Sequence, residues 1–172
     1  SYPGNERRQR RFYVDHSCRT AMKLEQELKN SKPLQPRQRA LLNIMFTASW
    51  IESRQTRFLR AYKLSGPQYN IMRILNGSYP NGLSVLEIKN RMIDRSSNVS
   101  RLVEKLRLQG FVERVQHSED RRMVIVSISG QGKQLLSEIE SAGFLSLENL
   151  PGQGLSDAEI LELGHLLDKY RD

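Results

Sequence analysis

Between residues 94 and 129 the chain gathers side chains that could read a nucleic acid. Ser96, Ser97, Asn98, Ser100, Arg101 and Lys105 come first, and Glu119, Asp120, Arg121 and Arg122 follow farther on. Arginine forks onto guanine, asparagine onto adenine, and hydroxyls serve either base edges or phosphates. In the same stretch Val99, Leu102, Val103 and Leu106 recur at steps of three and four, the spacing of one buried helix face. The first polar group is therefore expected on the open face of that helix. Beyond Gly110, the run FVERV, with Phe111, Val112 and Val115 as its apolar members, and the run MVIVSIS are rich in β-branched residues and flank the connector HSEDRR. That pattern predicts a hairpin with the second polar group at its tip, so the stretch reads as a recognition helix followed by a basic wing.

A recognition helix needs a partner to aim it. Ser84 and Glu87 form a capping box at the head of LSVLEIKNRM, which predicts a helix with Leu86, Ile88 and Met92 inward. A turn at Ile93 and Asp94 joins it to the next helix, giving a helix-turn-helix. Leu83, just before the box, is placed for a minimal third strand. Upstream, Ser65, Gly66 and Pro67 break a long helix and start another in which Tyr69, Ile71, Met72, Ile74 and Leu75 point inward, ending near Gly77.

The long helix spans Arg37 to Lys63 and carries two apolar stripes. Leu41, Ile44, Ala48, Ile51, Phe58 and Tyr62 make one, and Leu42, Met45, Phe46 and Trp50 the other. Two stripes require two surfaces to pack on, either this chain's core and a partner, or a helix enclosed within one molecule. Arg37, Arg39, Arg54, Arg57 and Arg60 line the rest. Before it, MKLEQELKN is a short helix that stops ahead of Pro33 and Pro36. Residues 1–21 read as an arm with an Arg cluster, and Met22 is a candidate native start. After Gly132, KQLLSEIESAGFLSLENL is expected to be helical, with Leu135, Leu136, Ile139, Phe144, Leu145 and Leu147 on its apolar side. PGQG interrupts it, and a second capping box, Ser156 and Glu159, opens a last helix bearing Leu155, Ile160, Leu163, Leu166, Leu167 and Tyr170.

Charge supports an acidic partner. The 172 residues carry a formal +8, and the sign is polarised: residues 1–65 hold 14 basic and 5 acidic side chains, residues 131–172 hold 3 and 8. The single cysteine, Cys18, excludes an intramolecular disulfide, and with no apolar run of membrane-spanning length the expectation is a cytoplasmic protein. His16, His117 and His165 are scattered and no phosphate-cradling glycine loop follows a strand. No catalytic set, cofactor or metal site is expected, and the chain reads as no enzyme.

The run from Gly66 to Ser137, above all SSNVSRLVEKLRLQGFVERVQHSEDRRMVIVSISGQGKQLL, resembles the MarR family of bacterial winged-helix transcriptional regulators. The likeness lies in a polar helix ending in LxxQGFVER, an Asp-Arg-Arg wing tip, and a strand passing through Ser-Gly-x-Gly into a helix. It implies a mainly α fold with a small β-hairpin wing (α+β), a winged helix-turn-helix flanked by N- and C-terminal dimerisation helices. The expected organisation is a basic arm and short helix at 1–36, a dimerisation helix at 37–64, the DNA-binding domain at 65–130 and dimerisation helices at 131–172.

The resemblance further implies a homodimeric repressor on a pseudopalindromic duplex operator, released by a small aromatic or anionic effector. Ser96, Ser97, Asn98 and Arg101 are assigned to base edges, Ser100 and Lys105 to phosphates. Arg122 matches the arginine that the family inserts in the minor groove, braced by Asp120, while Arg121 meets a phosphate. Trp50, Phe58, Tyr62, Tyr69 and Met72 are candidate effector contacts, although aromatic and Met stripes at helical spacing also build plain cores. Two other readings stay open: a winged-helix module for non-specific nucleic-acid or protein interaction, and a redox-sensing regulator working through Cys18.

Overall fold

A computed structural model of the chain describes residues 22–29, 31–116, 124–144 and 150–172. Two compact units divide it, Ser1–Ala48 and Ser49–Asp172. The N-terminal arm with its Arg cluster and Cys18 lies outside the described residues, as do the wing tip with Glu119, Asp120, Arg121 and Arg122, and Leu145 and Leu147.

In the first unit a short helix α1 (Leu24–Glu27) precedes α2 (Pro36–Leu59), whose first half belongs to this unit. Glu25 of α1 accepts from Arg39 Nε of α2 at 2.6 Å. That contact holds the Glu25 carboxyl below its usual range. Leu41 and Met45 stay exposed along this half.

The second unit begins in the same helix. At Leu59 the helix tightens into a 3-10 turn (Arg60–Tyr62) and stops at Lys63, whose left-handed backbone (φ 56°) ends it. The next helix, α3 (Gly66–Gly77), opens with a capping box that is legible as Ser-x-x-Gln: Ser65 Oγ accepts from Gln68 N, and Gln68 Oε1 accepts from Ser65 N at 3.0 Å. A two-residue strand β1 (Leu83–Ser84) leads into α4 (Val85–Arg91), with the Ser84–Glu87 box formed as expected. Then come α5 (Val99–Leu108), β2 (Val112–Gln116), β3 (Val124–Ile128), α6 (Gly130–Ser141) and α7 (Asp157–Tyr170).

The sheet has strand order β1-β3-β2 and is antiparallel throughout, with Leu83 opposite Val126 and Val112 opposite Ile128. Its inner face and α3, α4, α5 and α6 enclose one core in which Leu59, Ile71, Met72, Ile88, Val103, Leu106, Val126 and Ile139 are fully buried. Each such side chain removed from water contributes roughly 1.5–3 kcal/mol. The mainly helical fold with a small antiparallel wing is thus the one expected.

Two apolar assignments are corrected. Leu86 is 66% exposed and Val115 60% exposed. A helix as short as α4 has room for one inward stripe, and Ile88 and Met92 fill it. In β2, alternation places Val112 inward and sends Val115 to the open face.

The helix after Gly132 is also shorter than its apolar periodicity suggests. It ends at Ser141, because Gly143 takes a left-handed φ of 80° and Phe144 N returns to Ile139 O at 3.4 Å. The turn lays Phe144 on Phe58 (4.6 Å, stacked) and against the edge of Tyr69 (5.1 Å). Burial there pushes the Tyr69 phenol up.

Candidate nucleic-acid interface

The segment joining α4 to α5 is anchored from both sides. Met92 is buried beneath it, and Ile93 N donates to Asn70 Oδ1 of α3 at 3.1 Å. Asp94 then organises the turn. Its Oδ1 accepts from Ser96 N (2.9 Å) and Ser96 Oγ (2.6 Å), and its Oδ2 accepts from Ser97 Oγ (2.7 Å). The Ser96 and Ser97 hydroxyls and the Ser96 amide hold the Asp94 carboxyl below its ordinary value.

Ser96, Ser97 and Asn98 therefore precede the helix and do not lie on its face, which corrects the expected placement. The helix begins at Val99, with Asn98 as N-cap, its Oδ1 accepting from Arg101 N at 3.1 Å. Local bonding also limits what these groups can offer. The two hydroxyl protons are committed to Asp94, leaving lone pairs as acceptors, and the Asn98 amide keeps NH2 as its free edge.

Folded-state depression of the Asp94 pKa has a defined sign. The bonding of this turn is fully present above the unfolded carboxylate value, about 3.9, and is lost as pH falls through the lowered folded value. In an NMR titration the Ser96 amide should move at a pH below the ordinary aspartate range. Asp94→Ala should remove that titration and speed exchange of the same amide. An Asp94→Ala variant with unchanged Ser96 protection would show that the carboxylate does not hold the turn.

Along α5, Val99, Val103 and Leu106 are buried and Leu102 half-buried, leaving Ser100, Arg101 and Lys105 exposed. This is the two-faced helix read from the spacing. Arg107 is different: Glu104 accepts from its Nε (3.0 Å) and Nη2 (2.8 Å), and from Arg114 Nη1 of β2 at 3.4 Å. The Arg107 guanidinium, and then Arg114, hold Glu104 below its usual value. An exposed cluster of this kind adds little stability, but it links recognition helix to wing and partly neutralises two guanidiniums. Arg95, Arg101 and Lys105 have no carboxylate in ion-pair range among the described residues. The sequence reading passed over Arg95, an exposed cation in the turn itself. Its signal was its place between Asp94 and Ser96.

The end of the wing is stapled to the end of the helix. Ser129 Oγ donates to Gly110 O (2.6 Å) and accepts from Gly132 N (3.0 Å), while Ser129 N donates to Phe111 O (3.1 Å). Gly110 has φ of 79°, a backbone region that favours glycine. The Gly-Phe and Ser-Gly-x-Gly motifs thus meet at one point and fix where the wing leaves α5.

The candidate effector residues do not form one site. Met72 is fully buried and lines no open cleft. Phe58 and Tyr62 stack at 5.7 Å, joining the Phe144 and Tyr69 cluster as packing. Trp50 is 42% exposed with the Arg54 guanidinium 4.8 Å above its ring. Among the described residues no three His, Cys, Asp or Glu side chains converge as for a metal, and no helix is long and apolar enough to cross a membrane.

Comparison with known proteins gives a consistent relationship. Residues 64–124 match the MarR family model. The chain is 26% identical over 152 residues to the HTH-type transcriptional regulator PrsX of Escherichia coli, covering 87% of this chain and 90% of that protein. To the HTH-type transcriptional regulator YfiV of Bacillus subtilis it is 32% identical over 85 residues, 49% of this chain, so it spans only 52% of that relative. The crystal structure of a MarR transcription factor from Planctomyces limnophilus superposes with a TM-score of 0.60 at 28% identity, covering 80% of this chain and 98% of that one. Residues 64–124, which hold the capped α4, the two-faced α5 and β2, are the part of the chain that matches the MarR family of winged-helix transcriptional regulators.

Proposed function

We propose that this regulator binds a pseudopalindromic operator in double-stranded DNA as a homodimer, acts as a repressor and is released by a small ligand. The observation that carries the reading is α5 and the turn before it: one face of the helix is locked into the core, Arg101 and Lys105 stand exposed on the other, and Arg95 is exposed in the turn. In a symmetric dimer, two such helices would enter major grooves about 34 Å apart. Arg101 serves as the base-reading fork. Ser96 and Ser97 accept from base amino groups, the Asn98 amide donates, and Ser100, Lys105 and Arg95 meet phosphates. One solved structure with this fold is of MarR from Escherichia coli with operator DNA, at 18% identity and a TM-score of 0.62. Another concerns regulation of DNA binding of Bordetella bronchiseptica BpsR by 6-hydroxynicotinic acid, at 19% identity and a TM-score of 0.68. The domain plan follows the same reading, with residues 65–130 contacting DNA and the helices of 37–64 and 131–172 pairing two copies.

Selection of bound duplexes from a random pool tests the proposal. A recovered palindrome is expected, and the Arg101→Ala variant should lose preference at one position of each half-site, worth about 1–3 kcal/mol. Salt-sensitive binding with no sequence preference would instead mark a non-specific nucleic-acid module. At the wing, Arg122→Ala should lower the slope of log affinity against log salt by roughly one unit. An unchanged slope would remove Arg122 from the interface.

A further inference from the structure

Two amides of α3 hold the recognition helix toward its two ends. Gln68 reaches the far end: its Nε2 donates to Oε1 of Gln109, the C-cap residue of α5, at 3.2 Å. Asn70 reaches the near end, where its Oδ1 accepts from the amide of Ile93, in the turn that enters α5, at 3.1 Å. Residues two apart on a helix point about 200° away from each other, so the two side chains splay to opposite sides of α3. Between them the two helices share the buried core of Ile71, Met72, Val103 and Leu106.

Gln68 suits this contact in a way the other cap residues do not. The boxes that open α4 and α7 close with exposed glutamates, Glu87 and Glu159. The box that opens α3 closes with a glutamine only 8% exposed. Its Oε1 accepts from Ser65 N (3.0 Å) and Ser65 Oγ (3.1 Å), and this fixes which way the amide faces. The NH2 end, which a glutamate lacks, is left aimed at α5. The acceptor is held as firmly. Gln109 N donates to Lys105 O at 3.1 Å, and the carbonyl of the next residue, Gly110, accepts from Ser129 Oγ at 2.6 Å.

Apolar burial is non-directional, and near the crossing of two helices it resists separation more than rotation. Hydrogen bonds toward the ends of a helix about 15 Å long act on a lever arm and depend on angle, so they resist rotation. We propose that Gln68 and Asn70 are positioning residues that fix the tilt of α5 on α3, and through that tilt the half-site spacing that the protein accepts. The spacing role rests on the reading of a homodimer on a pseudopalindromic operator. The restraint on tilt does not.

The test titrates the full chain with its selected operator and with the same operator lengthened by one base pair between the half-sites. That insertion moves one half-site by about 3.4 Å and turns it by about 35°. The ratio of the two affinities is the readout, because it cancels any change common to both duplexes. Gln109→Met removes the acceptor and leaves the box at Ser65 untouched. Its ratio should fall by roughly two- to tenfold per protomer, the worth of one neutral hydrogen bond that no longer opposes rotation. Gln109→Glu keeps an acceptor for Gln68 and should hold the wild-type ratio, while Asn70→Ala, which cuts the other strut, should lower it. An unchanged ratio in both Gln109→Met and Asn70→Ala, even with a lowered Tm, would make the two amides fold determinants only and overturn the proposal. Equal losses in Gln109→Met and Gln109→Glu would overturn it as well, because the acceptor would not carry the effect. In the DNA-free protein, the Gln68 side-chain NH2 should exchange slowly with solvent and faster in Gln109→Met; equal exchange in the two proteins removes the strut itself. Failure of the operator reading appears separately, as a selection that recovers no preferred sequence, in which case the spacing role falls and the exchange result alone decides the tilt.

Discussion

Leu163→Asp in α7 is expected to lower operator affinity by a factor on the order of 10²–10⁴, the penalty for turning a two-site attachment into a one-site one. In the single protomer, Ile160, Leu163, Leu166 and Tyr170 are 42%, 46%, 52% and 50% exposed, at helical spacing. An apolar stripe of this length left in water is unfavourable, and under the homodimer proposal a second copy covers it. An aspartate in that stripe would bury an unpaired carboxylate in the dimer but remain solvated in the monomer, so the equilibrium shifts to the monomer. Sedimentation equilibrium and DNA titration should report the change together, with the melting of the winged helix unaltered. A Leu163→Asp chain that still sediments as a dimer and binds like wild type would exclude α7 from the interface.

The second large effect is on stability. In Gly132→Ala the added Cβ would overlap Phe111 O and lie 2.9 Å from Ile128 Cγ1 and 3.1 Å from Phe111 C. Backbone cannot yield as the end of a flexible side chain can. Relief requires moving the start of α6 off Phe111 and Ile128, with strain of about 1–3 kcal/mol. The Ser129 cap shares that contact, and its loosening adds about 1 kcal/mol. A total of about 2–4 kcal/mol lowers Tm by about 5–15 °C in a chain of this size. Gly130→Ala is the control, because a Cβ there meets nothing within 4 Å, and it should melt within a degree or two of wild type. Equal melting of the Gly132 and Gly130 variants would show that the close seat on Phe111 does not constrain the wing.

Much of the fold was legible because the determining bonds are short-range. The boxes at Ser84 and Glu87, and at Ser156 and Glu159, join residues three apart, and each formed as read. The box at Ser65 and Gln68 carried the same signal, and attention to Gly66 and Pro67 hid it. The three- and four-residue steps of Val99, Val103 and Leu106 named the buried face of α5 correctly. Placement of Ser96 and Ser97 failed for a local reason too: Asp94 competes for their hydroxyls and the helix cannot start until Asn98 caps it.

The sequence by itself determined the order of elements, the capped helix starts, the inner face of the recognition helix and the polar residues around it, because these follow from periodicity and neighbours within a turn or two. Contacts between residues far apart in the chain were decided only by the tertiary structure. Phe144 reaches Phe58 only after Gly143 reverses the backbone, and Glu104 finds Arg114 only once β2 folds beside α5. Spacing fixes which face a side chain occupies, but only packing fixes what that face meets.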